Sequence, residues 1–316
     1  MPRPRRSLGE AYPGLVALVT RIRMWSLSGC GMERRSVRLS GGVVSYLTAG
    51  RGERGSVVLL HGGGADSAEL SWGGVIPRLA EAGYGVCAPD HPGYGHRDRP
   101  ASPQGQSELL TYLAELIEAL DLTDAVLGGL SMGGGMALGH ALEHRVRGLM
   151  LLGSYGLMPA MGGRLTHLAS WLWVHSGAGP RVSRAMGRSP RLVEASLGSL
   201  VRDRSVLPAD FGAEIRAALG GPGPATFEQW QRSEIGCSGL RTDYRERVGD
   251  LDCPVLFVHG AADPGVTLRW VREAAAVVDD AELVVVPGGK HWVQRDAPEQ
   301  TVQAMLSFLE RVCPGR

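Results

Sequence analysis

A serine hydroxyl attacks a carbonyl only when the chain lifts it clear of regular structure and sets a base beside it. Gly129-Leu130-Ser131-Met132-Gly133 offers such a serine in a G-x-S-x-G pattern. The run Ala125–Leu130 reads as a strand and the residues from Met132 as a helix, so Ser131 falls at the turn between them. Flanking glycines let strand and helix approach closely enough to make that turn, and Gly134 and Gly135 extend the small-residue surface.

The base has to be found elsewhere among nine histidines. His291 follows the strand-like Glu282–Val286 and the turn Pro287-Gly288-Gly289, which sets it at the carboxyl edge of a parallel sheet beside Ser131. His140 and His144 lie along the helix after Ser131 and point away from that edge. His91 and His96 sit in a loop, His167 and His175 in a middle insertion, and His259 ends a strand where packing is the simpler role. An imidazole acting as base needs a carboxylate to fix its tautomer. Asp263, in Gly260-Ala261-Ala262-Asp263-Pro264, follows the strand Pro254–Val258, whereas Asp250 and Asp252 precede it at the opposite edge. His61-Gly62-Gly63-Gly64 follows the apolar run Ser56–Leu60 and can aim backbone N–H groups at a developing oxyanion. Gly63 and Met132 are the expected donors, with Gly64 as a substitute for the first; His61 reads as a loop-bonding residue.

The elements that must hold these residues alternate. Short strands at Ser36–Ser40 and Gly42–Leu47 form a hairpin. They are followed by Ser56–Leu60, a helix over Trp72–Ala82, Tyr84–Ala88, a helix over Ser107–Leu120, Ala125–Leu130, a helix over Met132–Glu143 and Gly148–Leu152. The alternation resumes with Pro254–Val258, Thr267–Val278, Glu282–Val286 and Glu299–Val312. Continuous apolar strands alternating with helices predict an α/β architecture, a mainly parallel sheet covered on both faces. Residues 155–250 carry helical pieces such as Arg164–Val174 and Phe211–Leu219, punctuated by Gly220-Gly221-Pro222-Gly223-Pro224, and read as a helical insertion above that sheet. The core is expected at 34–154 and 251–316.

The 316 residues include 33 basic and 32 acidic side chains, a net charge of +1 that gives no reason to expect nucleic acid or an anionic membrane as partner. Five scattered cysteines without a C-x-x-C pair indicate neither a zinc site nor a disulfide framework, and Cys87 and Cys253 read as buried thiols. Reduced thiols point to the cytoplasm. Residues 1–33, with arginines around the short apolar run Leu15–Val19, read as a loose N-terminal extension, with Met32 a plausible alternative start. The run is far shorter than the roughly 20 residues of a membrane span, so no stable membrane insertion is expected.

The motifs together resemble the α/β-hydrolase superfamily over roughly 36–153 and 251–312. Asp90-His91-Pro92-Gly93-Tyr94-Gly95 is similar to the family's D-x-P-G-x-G loop, and the chain order Ser131, Asp263, His291 is that of the family. The family's lid corresponds to about 155–245. Within the superfamily, HGGG, Ser-Met-Gly-Gly and His291-Trp292 resemble carbon–carbon bond hydrolases acting on ring-fission products, vinylogous 1,5-diketones. Leu130 stands where that group has Asn, and Ala65-Asp66 where it has Pro-Gly. Gly-Leu-Ser-Met-Gly-Gly is also similar to enol-lactone hydrolases and general esterases. Haloalkane dehalogenases and epoxide hydrolases of this fold carry an aspartate at the elbow, where this chain has Ser131.

The resemblance implies a cofactor-free, metal-free serine hydrolase acting on a small-molecule ester, lactone or activated C–C bond. Acyl transfer or cyclisation through the same triad, or ligand binding on a hydrolase frame, are the alternative uses, and a homo-oligomer is compatible with either. Trp292 either lines the acyl pocket or packs at the loop exit. Trp171, Trp173, Arg181, Met186 and Trp230 of the insertion either touch substrate or pack within it.

Overall fold

The computed structural model describes residues 31–96 and 104–314; the N-terminal extension expected over 1–33 lies almost wholly outside them. Its centre is an eight-stranded sheet in the order β1-β2-β4-β3-β5-β6-β7-β8. The strands are β1 (Glu33–Leu39), β2 (Gly42–Ala49), β3 (Ser56–Leu60), β4 (Gly85–Pro89), β5 (Val126–Leu130), β6 (Gly148–Leu152), β7 (Val255–Gly260) and β8 (Ala281–Val286). Only β1 and β2 run antiparallel to their neighbours. The other pairings are parallel, so every strand from β3 to β8 delivers its carboxyl end to one edge. This is the α/β sheet that the apolar runs predict, and the runs are continuous because both faces are covered.

Successive strand residues feed two cores, as a period of two requires. Val58, Leu60, Leu127, Leu149, Leu151 and Phe257 pack on one side. There they meet α3 (Gln106–Ala119), α4 (Met132–Ala141) and α10 (Leu268–Ala275). Val57, Leu59, Val126, Met150, Leu152 and Val258 pack on the other, against α1 (Ala68–Trp72), α2 (Ile76–Glu81) and α12 (Pro298–Val312). The single helix expected over Trp72–Ala82 is thus two. Gly73 and Gly74 end the first, whose turn begins earlier because the Ser67 side chain accepts from Leu70 N–H. A further short helix, α11 (Val293–Asp296), precedes α12.

The middle segment is more helical than its sequence suggests. It holds α5 (Arg164–His175), α6 (Gly179–Gly187), α7 (Pro190–Leu200), α8 (Phe211–Gly220) and α9 (Gly223–Glu234). The Gly-Pro cluster at 220–224 does not interrupt a helix; it ends α8 and starts α9, with Pro224 in the first turn. Proline suits that position because it has no N–H to leave unpaired and its φ is already helical. Among the described residues no helix is long and apolar enough to cross a membrane.

Candidate active site

Ser131 links β5 directly to α4 and adopts φ 53°, ψ −117°. Among the described residues it and Asp121 are the two non-glycine residues at positive φ, a conformation that costs about 1–3 kcal/mol and persists only where the surroundings enforce it. They do so closely. Ser131 N–H donates to Leu152 O at 2.9 Å, and Ser131 O accepts from Gly135 N–H and Tyr155 N–H, both at 3.0 Å. A Cβ at Gly129 would overlap the Gly133 carbonyl and a Cβ at Gly133 the carbonyls of Leu60 and His61, so only glycine fits at either motif position.

The carboxyl ends of the neighbouring strands hold the other candidates. Asp263 follows β7 and is enclosed, its side chain 1% exposed. Its Oδ1 accepts from Gly265 N–H at 2.7 Å and Val266 N–H at 3.1 Å, while Oδ2 faces His291 Nδ1 at 2.8 Å. Burial pushes its pKa up, but the bond to His291, the nearby His291 charge and the Val266 amide outweigh it, so the net shift is down. Such a carboxylate stays charged and holds the proton of His291 on Nδ1, leaving Nε2 as the free position of the ring. Gly153, one residue beyond β6, lies between Ser131 and this pair at φ +48°. A Cβ there would sit 3.1 Å from Asp263 Oδ2 and 3.2 Å from His291 Nδ1. Nothing in the sequence marks Gly153 except its place after a strand. Ser131 shares the edge with the pair, and no direct hydrogen bond joins its Oγ to His291; such contacts are often longer before substrate arrives.

The loop after β3 passes in front of Ser131: a Cβ at Gly62 would lie 3.5 Å from that of Ser131. Met132 is the first residue of α4, so its N–H has no acceptor within the helix, and the positive end of the helix points at the same space. Gly62 of the loop and the first turn of α4 therefore both lie beside Ser131. Two features fix the loop. His61 is fully buried, contacts Gly62 O through Nδ1 at 2.7 Å and accepts from His91 N–H through Nε2 at 3.0 Å. Burial lowers its pKa to about 3, against the opposing pull of the Gly62 carbonyl, so it is neutral. Asp66, unremarked in the sequence reading except as a departure from Pro-Gly, proves to be the main anchor. It accepts from Gly62 N–H at 2.7 Å, Ser67 N–H at 2.7 Å and Ser71 Oγ at 2.7 Å.

The middle segment reaches this loop. A Cβ at Gly63 would overlap the Phe227 ring of α9, and Gly64 lies under the same ring. Phe227 stacks on Trp230 with centroids 5.5 Å apart, and Trp230 meets Tyr155 edge-on at 4.7 Å. Trp230 is buried and donates through Nε1 to Gln106 Oε1 at 3.2 Å. Trp292 is likewise buried, edge-on to Phe211 at 5.7 Å. His259 is buried with Nε2 2.8 Å from Val266 O and 3.8 Å from Asp263 Oδ2. Among the described residues no group of three or more histidine, cysteine or acidic side chains is arranged to hold a metal ion.

Comparison with known proteins agrees with this fold. Residues 57–304 match the model of the alpha/beta hydrolase family. The chain is 31% identical over 281 residues to a 2-hydroxy-6-oxo-6-(2'-aminophenyl)hexa-2,4-dienoic acid hydrolase of Metapseudomonas resinovorans, covering 88% of this chain and 91% of that one. It is 27% identical over 300 residues to epoxide hydrolase A of Mycobacterium tuberculosis, covering 82% and 92%. A solved meta-cleavage product hydrolase from Pseudomonas fluorescens superposes with a TM-score of 0.72 at 25% identity, over 88% of this chain and 97% of that one.

Proposed function

Since the chain belongs to the alpha/beta hydrolase family, we propose that it is a serine hydrolase with Ser131 as nucleophile, His291 as base and Asp263 as the orienting carboxylate. The 2.8 Å contact between His291 Nδ1 and Asp263 Oδ2, at the same sheet edge as a serine held at φ 53° and separated from it by β6, carries this reading.

In this mechanism Ser131 Oγ attacks a carbonyl carbon while its proton passes to His291 Nε2. The negative charge collecting on the carbonyl oxygen is held by Gly63 N–H and Met132 N–H, preorganised by Asp66 and by the helix terminus. His291 then protonates the departing group, and water releases the acyl group by the same path in reverse. The middle segment acts as the lid, with Phe227 and Trp230 walling the space above the oxyanion loop. The substrate is a 2-hydroxy-6-oxo-dienoate, the class for which the Metapseudomonas resinovorans relative is named, cleaved at a carbon–carbon bond beside the carbonyl. Ser131 favours acyl chemistry over epoxide opening, because a serine ester forms by attack on an acyl carbon.

The test is turnover of a ring-fission dienoate, followed by loss of its chromophore, beside a nitrophenyl ester. Wild-type protein should consume the dienoate, and Ser131→Ala should lose on the order of a millionfold in turnover. Ester hydrolysis without dienoate cleavage would replace the substrate assignment with an esterase; near-wild-type activity of the alanine variant would remove the mechanism.

A further inference from the structure

Helix α5 carries two apolar stripes where a surface helix needs one. At 100° per residue, His167 and Val174 fall together and are buried toward α9. Leu165, Leu168 and Leu172 fall on the opposite side of the helix, 85%, 45% and 56% exposed, and Trp173 beside them is 49% exposed. Val182 of α6 and Leu192 of α7 are exposed as well. A stripe turned half a helix away from the core contributes nothing to folding.

The charged residues from α5 to the start of α7 are all of one sign, up to Glu194, which lies 3.7 Å from Arg204. Between Arg164 and Val193 the chain has five arginines, Arg164, Arg181, Arg184, Arg188 and Arg191, and no acidic residue. All five are exposed, and none forms an ion pair among the described residues. Arg181 reaches only the Gly177 carbonyl, at 3.1 Å. Both α5 and α6 pack on α9, and three residues, Ser176 to Ala178, join them.

The charge selects the occupant. A second copy presenting the same face would bring five further arginines against these. Residues 1–30 of this chain hold five arginines and a single glutamate, so they are repelled too. An acidic polypeptide would satisfy the arginines but has no particular use for three leucines and a tryptophan at solvent depth. A lipid surface uses both: anionic headgroups meet the guanidinium groups while the leucines and tryptophan enter the headgroup–acyl boundary. We infer that the outward face of α5 and α6 docks the protein, lying flat and not inserted, on an anionic lipid bilayer.

The experiment is co-sedimentation of the full chain with phosphatidylcholine vesicles, with and without phosphatidylglycerol. Binding should require phosphatidylglycerol and fall as salt is raised, because the Debye length shortens. The triple variant Arg164→Gln, Arg184→Gln, Arg188→Gln should bind more weakly by about fivefold per arginine removed. Leu165→Gln with Leu172→Gln should weaken binding at least tenfold even at low salt, since each removes an apolar side chain from the lipid boundary. These side chains touch nothing in the candidate site, so circular dichroism melts and ester turnover should stay at wild-type values and certify folding. No sedimentation, equal binding to both vesicle types, or wild-type binding by both variants overturns the inference, the last assigning the affinity to residues 1–30. Retention on polyglutamate that the leucine variants leave unchanged overturns it in favour of an acidic polypeptide.

Discussion

Burial alone would raise the pKa of both Asp66 and Asp263, because a carboxylate leaves water reluctantly when charged. At Asp66 burial dominates its four hydrogen bonds and the value rises to about 6. At Asp263 the His291 contact reverses the outcome and the value falls. The two residues should therefore affect stability with opposite slopes. The folded form keeps a proton on Asp66 that the unfolded chain has released, so this group's contribution declines as pH rises from about 4 to about 6, by on the order of 3 kcal/mol. The stability gap between wild type and Asp66→Asn should shrink over that interval. For Asp263→Asn the gap should widen as pH rises through the acid range, since the depressed pKa stabilises only above it. Urea unfolding of the three proteins at about pH 4 and about pH 7 measures both signs. Activity separates them further. Asp263→Asn should keep its fold and lose about 10⁴ in kcat; Asp66→Asn, which cannot accept from both backbone donors, should cost up to about a hundredfold through a displaced loop. Ser131, Asp263 and His291 were all legible because each sits just beyond its own apolar run. Asp66 was not, because a carboxylate in a loop ordinarily faces water, and nothing local reveals that this one is enclosed.

At the level of elements, strands and core helices were legible to within a few residues, since burial on both faces writes an unbroken apolar run. The middle segment was less so. Its helices α6 and α7 have little or no inward face, and α7 and α9 begin with prolines that read as breaks. The contact of α9 with the oxyanion loop was not legible at all, because it depends on the absence of a side chain at Gly63. That contact predicts a coupling. Gly63→Ala should cost about 1–3 kcal/mol in wild type, by forcing the loop away from the Phe227 ring. In a Phe227→Ala background the same change should cost at least 1 kcal/mol less. A thermal double-mutant cycle reads the difference, and additive costs would mean that the ring moves aside freely.

The whole molecule is a sheet clamped between two cores, and its closing element is the last helix. Val302, Met305, Phe308 and Leu309 of α12 are all nearly inaccessible against the sheet. Phe308→Ala should therefore cost about 3–5 kcal/mol in denaturant unfolding, while leaving the relative rates on ester and dienoate as they were. A single parallel sheet is also why chain order alone located the candidate site: every strand end from β3 to β8 arrives at one edge. What composition concealed was distribution. A net charge of +1 follows from 33 basic and 32 acidic residues, yet the five arginines from Arg164 to Arg191 stand with no carboxylate between them, which leaves 28 basic against 32 acidic residues in the rest of the chain. A chromatographic resin meets one face of a particle at a time. This nearly neutral protein should be held by a sulfonate column at pH 7 and, under the same buffer, by a quaternary amine column as well, each gripping the side the other ignores.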